Sequence, residues 1–131
     1  MAQRAIELFN LEFAAGQTGI SDDSRALYAS EPVIVPYRAA LEGTEYRGPT
    51  ALDQFVSDTR ESWEWVRVEN EEIRDLDAER ALAVGRLVGR GRETGAEASS
   101  PIALLAVIRD GRLAEARTFL SEADALEAAG A

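Results

Sequence analysis

Hydrophobic residues recur at helical spacing in two long segments of the first half of the chain. In residues 2–15, apolar side chains occupy positions three and four apart, which predicts an amphipathic helix. A second such segment follows the Gly-Pro-Thr sequence of residues 48–50 and extends to about Ser62, because proline is favoured at the first position of a helix. Between them, the Ser-Asp-Asp-Ser sequence of residues 21–24 supplies capping groups for a short helix that extends through Tyr28.

The segment between the short helix and the next long helix predicts one strand. Residues 33–37 are a run of apolar residues, and Pro36 within it cannot donate a ladder hydrogen bond. We therefore expect this strand to lie at the edge of a sheet or to end there. Residues 38–46 predict a loop, with a short strand near residues 45–47 as an alternative.

The second half of the chain changes to extended hydrophobic runs separated by short polar turns. Four strands in an antiparallel meander are predicted at residues 63–74, 80–92, 101–109 and 112–120. A final helix is predicted after Ser121, and Gly130 ends it. Helices gathered on one side of an antiparallel sheet predict the α+β class.

An Asp-Gly pair between two apolar runs is the strongest turn signal in the sequence. A type I′ turn requires positive φ angles at both central residues, which Asp110 and Gly111 tolerate. Placing Arg109 opposite Arg112 predicts these further pairs: Val107 with Ala114, Leu105 with Ala116 and Ala103 with Thr118. Both faces of the hairpin are largely apolar, so we expect the protein's own helices to cover one and a second layer or second subunit to cover the other.

The two long strands are predicted to pair through a turn centred near Asp77. This register places Glu69 opposite Arg86 and Trp65 opposite Arg90, where an ion pair and a cation–π contact would support it. The same charges are more typical of a solvated sheet face. Glycines at alternate positions of the second long strand leave room for tight curvature or a close approach: Gly85, Gly89 and Gly91.

The composition narrows the classes of function. A single domain over residues 1–131 is expected, with 46% apolar residues for its core. The formal net charge of −10 opposes binding to nucleic acid or to an anionic membrane surface. The sequence contains no cysteine or histidine, which excludes disulfides, thiolate nucleophiles and the commonest general base and metal ligand. We expect no metal and no cofactor.

The sequence contains no targeting signal that we recognise. The N-terminal segment lacks an apolar run of signal-peptide length, and no segment approaches the length of a membrane span. We therefore expect a cytoplasmic protein that does not interact with membranes.

Several short motifs occur along nearly the whole chain in a characteristic order. They are Tyr46-Arg47-Gly48, Trp63 and Trp65, Gly89-Arg90-Gly91-Arg92, Arg109-Asp110-Gly111-Arg112, Glu122, and Ala125-Leu126-Glu127-Ala128-Ala129-Gly130. Each motif is short, but their order and spacing resemble the NTF2-like superfamily, and more closely its SnoaL-like polyketide-cyclase group.

This resemblance implies a cone-shaped fold. A curved antiparallel or mixed sheet would wrap around three N-terminal helices, with a short helix at the C-terminus. A pocket would open at the wide end of the cone, and the outer sheet face would form a homodimer. In the predicted hairpin register, the residues that line the cone would include Leu105, Ala116 and Thr118, and those on the dimer side would include Leu104, Arg117 and Phe119.

The catalytic residues of several family members have no counterparts in this chain. Ketosteroid isomerase-like members place one acid near the end of the first strand and a second on a later strand, but residues 35–37 and 103–105 contain none. SnoaL-type cyclases rely on an Asp–His pair, and this chain has no histidine. The Asp-Arg-Asp set of epoxide-hydrolase members has no counterpart that we could assign.

Three functions are compatible with these patterns. The first is binding of a small apolar molecule in the pocket, with Tyr37 and Thr118 as hydrogen-bonding groups. The second is an isomerase, cyclase or hydratase that uses a buried carboxylate as its base, for which Glu69, Glu71 and Glu93 are candidates. The third is a non-catalytic structural or partner-binding dimer with a filled cone.

The predicted pocket residues are mostly aromatic or small. They are Phe9, Phe13, Tyr28, Tyr37, Phe55, Trp63, Leu105, Ala116, Thr118 and Leu120. The spacing of Phe9 and Phe13 is more typical of core residues than of ligand contacts. An open cavity above about 300 Å³ with an acid at its base would favour an enzyme, and one with only Tyr and Thr as polar groups would favour binding.

Overall fold

The computed structural model describes residues 2–130, without the side chains of residues 38–40. Within this part of the chain, the strands are β1 (Tyr28–Val35), β2 (Trp63–Asp75), β3 (Arg80–Gly91), β4 (Glu97–Arg109) and β5 (Arg112–Phe119). The helices are α1 (Ala2–Glu12), α2 (Asp22–Leu27), α3 (Tyr37–Glu42), α4 (Ala51–Ser62) and α5 (Glu122–Ala129).

All of these strands belong to one curved, mixed sheet with the order β1-β5-β4-β3-β2. β1 runs parallel to β5, and every other pair of neighbours is antiparallel. The predicted α+β class is therefore confirmed, as is the edge position of β1. Helices α1 and α4 pack against one side, which we call the inner face, whereas α5 packs on the opposite, outer face.

The first strand begins earlier than predicted. β1 starts at Tyr28 rather than at residue 33, so α2 ends at Leu27. Pro32 lies within β1, but the pairing with β5 is irregular between Tyr28 and Val33, so the missing N–H of the proline is tolerated there.

The loop predicted for residues 38–46 is partly wrong, because α3 (Tyr37–Glu42) occupies its first half. Alanine, leucine and glutamate are good helix formers, and Gly43, with a φ of +72°, ends the helix. The alternative short strand is present only as an isolated bridge between Tyr46 and Ile34.

Several other predicted ends differ from the structure. α1 ends at Glu12 instead of residue 15, and β3 ends at Gly91, one residue early. The second long helical segment, α4, begins at Ala51 after the N-cap residue Thr50, so Pro49 lies just outside it. β4 begins at Glu97 instead of residue 101, because residues 97–100 continue the pairing with β3. β5 ends at Phe119, one residue early. The capped start of α5 at Ser121 and its end at Gly130 are confirmed.

The predicted turn between β4 and β5 is confirmed. Asp110 and Gly111 have φ angles of +54° and +73°, and Arg109 pairs with Arg112. These angles are the ones that a type I′ turn requires.

A β-bulge shifts the register of this hairpin beyond its turn. Ile108 pairs with Leu113, but Val107 pairs with Glu115, so Ala114 is an extra residue on β5. The predicted pairs that involve Val107, Leu105 and Ala103 are therefore wrong. The observed partners are Glu115 for Val107, Arg117 for Leu105 and Phe119 for Ala103.

The bulge also changes which residues share a face, since a one-residue shift reverses side-chain direction. Leu104 packs near Ile6 of α1, whereas Ala103 packs with Ala125 of α5. The inner face therefore contains Leu104, Ala116 and Thr118, and the outer face contains Leu105, Arg117 and Phe119. Leu105 was predicted to line the cone and Leu104 to face the dimer side, and both predictions are wrong.

The register of the two long strands is confirmed, but the contacts expected from it are not. Glu69 pairs with Arg86 and Trp65 with Arg90. The cation on the Trp65 ring is Arg67, at 4.9 Å from the ring centroid, and Arg67 also lies 2.9 Å from the Glu69 carboxylate. Alternate residues of one strand share a face, so Arg67 reaches both neighbours directly.

Candidate functional site

A cavity of about 530 Å³ lies between the inner face of the sheet and the helices that cover it. Its wall is mainly apolar, because the strands present alternate hydrophobic residues to this side. The large apolar side chains that line it are Ile6, Phe9, Ile34, Phe55, Val66, Val68, Leu87, Ile102, Leu104 and Leu113. The volume is within the range of small-molecule sites, which is about 300–1,000 Å³.

A row of alanines crosses the sheet beneath this cavity. Ala81 on β3 pairs with Ala106 on β4, and Ala106 pairs with Ala116 on β5. All three residues line the cavity. Methyl side chains at three adjacent positions leave space that larger residues would fill.

Aromatic rings form the opposite part of the wall. Phe9 of α1 and Phe55 of α4 line the cavity with ring centroids 6.3 Å apart. Phe13 lies behind them, at 4.8 Å from the Phe9 ring and 5.3 Å from the Phe55 ring. Because Phe13 is buried in the core beside both rings, it holds them in place.

Trp63, at the start of β2, packs its ring against the backbone of Gly89. A Cβ atom at Gly89 would lie 2.7 Å from Cε3 of Trp63. The alternating glycines of β3 therefore admit a neighbouring ring at this position, and Trp63 is placed in the cavity wall.

Polar groups occupy a second part of the wall. The Tyr46 hydroxyl donates a hydrogen bond of 2.6 Å to Oδ2 of Asp58, and the Tyr37 hydroxyl donates one of 3.2 Å to Oγ of Ser100. The carboxylates that line the cavity within the described residues belong to exposed residues: Glu42, Asp58 and Glu61. The acids of the site are thus solvated rather than buried at its base.

Five further hydroxyl groups belong to residues of the wall, those of Tyr28, Thr44, Thr59, Ser62 and Thr118. The Tyr28 and Thr118 hydroxyls form no hydrogen bond with another described residue, and neither is among the buried polar atoms without a partner, so both are open to the cavity or to solvent. Burial raises the pKa of Tyr28 to about 12, with a further contribution from the negative charge of Glu12. The Tyr28 hydroxyl is therefore neutral at physiological pH and able to donate a hydrogen bond.

Eight of the ten predicted pocket residues line the cavity. They are Phe9, Tyr28, Tyr37, Phe55, Trp63, Leu105, Ala116 and Thr118. Leu105 borders the cavity although its strand position directs its side chain to the outer face. Phe13 instead belongs to the core, as its helical spacing indicated, and Leu120 is 42% exposed outside the cavity. Binding by any of these residues stays a prediction.

Sequence reasoning missed several wall residues beyond Phe55 and Trp63, among them Val66 and Val68 of β2 and Asp58 of α4. Val66 and Val68 alternate with polar residues in β2, and this pattern could have placed them on the covered face. Asp58 carried no such signal, because its partner Tyr46 is brought to it only by folding.

The three carboxylates considered as bases lie elsewhere. Glu69, Glu71 and Glu93 are exposed and are not part of the cavity wall, so their candidacy as buried bases is wrong. In the described part of the chain, no group of three or more acidic residues is arranged to hold a metal ion. None of the helices described there is long and apolar enough to cross a membrane.

Comparison with known proteins assigns the fold. No protein-family model matches the sequence, and no curated protein matches it. Among solved structures, an NTF2-like protein of unknown function from Exiguobacterium sp. 255-15 aligns with a TM-score of 0.74 at 16% identity. The alignment covers 92% of this chain and 98% of that chain. This chain has the NTF2-like fold.

Two other matches among the solved structures are informative. A candidate SnoaL-like polyketide cyclase from Jannaschia sp. CCS1 aligns with a TM-score of 0.70 at 18% identity, over 98% of this chain and 89% of that chain. TerC, co-crystallised with polyporic acid, aligns with a TM-score of 0.61 at 14% identity, over 82% of this chain and 84% of that chain. The NTF2-like fold expected from the sequence motifs is thus confirmed, and SnoaL-like proteins are among the matches.

Proposed function

We propose that this chain binds a small apolar molecule in the cavity on the inner face of the sheet. The observation that carries the proposal is the volume of about 530 Å³ enclosed by a mainly apolar wall. Apolar walls with a few placed polar groups are typical of small-molecule sites. The alanine row provides the space, and the rings of Phe9 and Phe55 provide flat surfaces for contact.

The structural neighbours support an organic ligand. TerC, which shares the fold, was co-crystallised with polyporic acid. A filled cone, the third function considered above, is disfavoured by the open volume.

A second candidate function is an isomerase, cyclase or hydratase activity on the bound molecule. The observation that favours it is the Asp58 carboxylate, which lines the cavity and accepts the 2.6 Å hydrogen bond from Tyr46. A carboxylate can act as a general base toward a carbon acid. Binding alone is preferred because Asp58 is exposed, so that water can solvate its carboxylate.

The candidate enzyme activity can be tested with 1-tetralone, a bicyclic ketone. Exchange of the hydrogens next to its carbonyl with D₂O is followed by NMR in the presence of the protein. Acceleration that disappears in Asp58→Asn would support catalysis by this carboxylate. Exchange at the rate of buffer alone would leave binding as the function.

Ligand binding itself can be tested through tryptophan fluorescence. Trp63 lines the cavity, whereas Trp65 lies on the outer face beneath Arg67. We expect tetralin, the hydrocarbon analogue of 1-tetralone, to change the emission saturably in the wild-type protein and in the Trp65→Phe control. The change should be lost in Trp63→Phe. A linear, non-saturating response in all three proteins would contradict the proposal.

A further inference from the structure

A second cavity, of about 320 Å³, lies beside the loop that follows α1. The side chains of Phe13, Trp63 and Val66 give it an apolar wall, and the exposed loop residues Gln17 and Thr18 border it as well. Trp63 and Val66 also line the cavity on the inner face of the sheet, so the two cavities adjoin. The volume of the second cavity is at the lower end of the range for small-molecule sites, which is about 300–1,000 Å³.

Two opposite charges line the second cavity, those of Glu64 in β2 and Arg92 directly after β3. The pairing of β2 with β3 has a β-bulge between Trp63 and Trp65, which makes Glu64 an extra residue of its strand. Adjacent residues of a regular strand point to opposite faces. The bulge therefore explains how Trp63 and Glu64 can both line this cavity.

The Arg92 guanidinium is held in position by neutral groups. Its Nε donates to the backbone carbonyl of Arg60 at 2.8 Å, and its Nη2 donates to that of Trp63 at 3.2 Å. The Trp63 carbonyl belongs to the peptide group that joins Trp63 to Glu64, so the guanidinium lies beside the backbone of Glu64. Even so, Arg92 and Glu64 form no ion pair with each other or with any other described residue.

The other arginine of the second cavity is already engaged. Arg60 donates to the backbone carbonyls of Glu12 and Gly19, and it pairs with the Glu12 carboxylate. Its Nε is enclosed by protein atoms. Within the described part of the wall, Arg92 is thus the cation, and Glu64 the carboxylate, that a bound molecule can reach.

We propose that the second cavity binds a small zwitterion with an apolar group, such as an α-amino acid with an apolar side chain. Arg92 donates to the carboxylate of this ligand, Glu64 accepts from its ammonium group, and the apolar wall contacts its side chain. A guanidinium has five N–H groups and can bind a carboxylate through two of them in parallel, so the two backbone contacts of Arg92 leave enough donors. A ligand with a single charge would complement only one of the two residues.

The experiment compares L-phenylalanine with phenylpropionate, which lacks the ammonium group, and with phenethylamine, which lacks the carboxylate. Dissociation constants are measured at constant ionic strength by two-dimensional NMR of the isotope-labelled protein, in which the backbone amides of residues 16–18 report on the second cavity. The variants are Arg92→Gln and Glu64→Gln. Their matched controls are Arg112→Gln and Glu71→Gln, at exposed residues outside this cavity.

We expect the wild-type protein to bind phenylalanine about tenfold more tightly than either analogue, as one charge-assisted hydrogen bond allows. Arg92→Gln should weaken the binding of phenylalanine and phenylpropionate by about tenfold and leave phenethylamine unchanged. Glu64→Gln should weaken the binding of phenylalanine and phenethylamine and leave phenylpropionate unchanged. The two control variants should bind phenylalanine as the wild-type protein does, and so should Ala116→Leu, whose larger side chain fills the other cavity.

The proposal stays testable if the loss of two backbone contacts unfolds Arg92→Gln. Glu64 is exposed and forms no described hydrogen bond or ion pair, so Glu64→Gln and the three compounds then decide the outcome. Equal affinities of the wild-type protein for the three compounds would overturn the proposal, as would the absence of saturable shifts at residues 16–18. Loss of phenylalanine binding in Ala116→Leu would place the ligand in the other cavity and would also overturn it. The proposed function is tested separately by tetralin and stands in each of these cases.

Discussion

Arg60 of α4 and Glu12, the last residue of α1, form an ion pair with 3.3 Å between Nη2 and Oε2. The same guanidinium donates to the backbone carbonyls of Glu12, at 2.8 Å, and Gly19, at 2.6 Å. Glu12 in turn accepts hydrogen bonds from the Ser21 backbone N–H and the Ser24 hydroxyl. One buried carboxylate therefore connects the end of α1, the start of α2 and α4.

Glu12→Gln should destabilise the protein. The substitution keeps the shape of the side chain but leaves Arg60 without its counter-charge. When a buried polar group loses its partner, the free energy of unfolding falls by about 1–3 kcal/mol. Urea unfolding measures the loss. Glu7→Gln on the exposed side of α1 is the control, because its pair with Arg4 is exposed and should contribute less than about 1 kcal/mol. Equal losses in both variants would contradict a special role for Glu12.

The contribution of Glu12 should depend on pH. Burial by itself raises the pKa of this carboxyl, but hydrogen bonds from Ser21 and Ser24 and the charge of Arg60 together hold the pKa below its ordinary value of 4.5. Because the pKa is lower in the folded state, the charged Glu12 carboxylate stabilises the folded protein at pH values above about 4.5. This stabilisation is lost as the pH falls through the folded-state pKa. The gap in unfolding free energy between the wild-type protein and Glu12→Gln should therefore be widest near neutrality and shrink on acidification. If this difference in unfolding free energy instead grew on acidification, the prediction of a lowered Glu12 pKa would be contradicted.

Gly85→Ala should destabilise the long β2–β3 pair. A Cβ atom at Gly85 would lie 2.2 Å from the backbone oxygen of Glu69 and 2.7 Å from Cα of Asn70. Overpacking of this kind typically lowers the free energy of unfolding by about 1–3 kcal/mol. At Gly85 the atoms that must move belong to the backbone of Glu69 and Asn70. Arg86→Ala, at the next and exposed residue, should change stability by no more than about 0.5 kcal/mol. Thermal unfolding of the two variants checks the difference.

Ala116→Leu should block the cavity without unfolding the protein. The larger side chain would extend into the space above the alanine row, and we expect at least about a tenfold loss of tetralin affinity, which is a typical cost of losing shape complementarity. Ala123→Leu, on the exposed surface of α5, is the matched control and should bind normally. Unchanged tetralin binding in Ala116→Leu would place the ligand elsewhere.

The homodimer implied by the family resemblance can be tested on the outer face. Trp65 and Val88 lie there and are partly exposed, on the β2–β3 part of the sheet. We expect native mass spectrometry at micromolar concentration to show a dimer, and Val88→Glu to shift it toward monomer, because a buried unpaired charge is costly. Ala123→Glu adds the same charge on α5 and should leave the dimer intact. Detection of monomer alone for the wild-type protein at this concentration would contradict the proposed homodimer.

Most of the cavity wall was predictable from local patterns. Helical spacing placed Phe9 inward from α1, and strand alternation is sufficient to place Val66 and Val68 inward from β2. The pairing of Asp58 with Tyr46 was not predictable, because the two residues lie on different elements and meet only across the folded cavity.

The sequence by itself determined the α+β class, the positive φ angles of Asp110 and Gly111, and the register of the β2–β3 pair, since these follow from local conformational preference and side-chain periodicity. The tertiary structure decided that Leu104, and not Leu105, shares the inner face with Thr118. The bulge at Ala114 reverses the direction of every residue beyond it, and its position depends on packing against helices on both faces of the sheet. Folding likewise decided that the Tyr46 hydroxyl meets Asp58, because a hydrogen-bond partner is a property of neighbours in space.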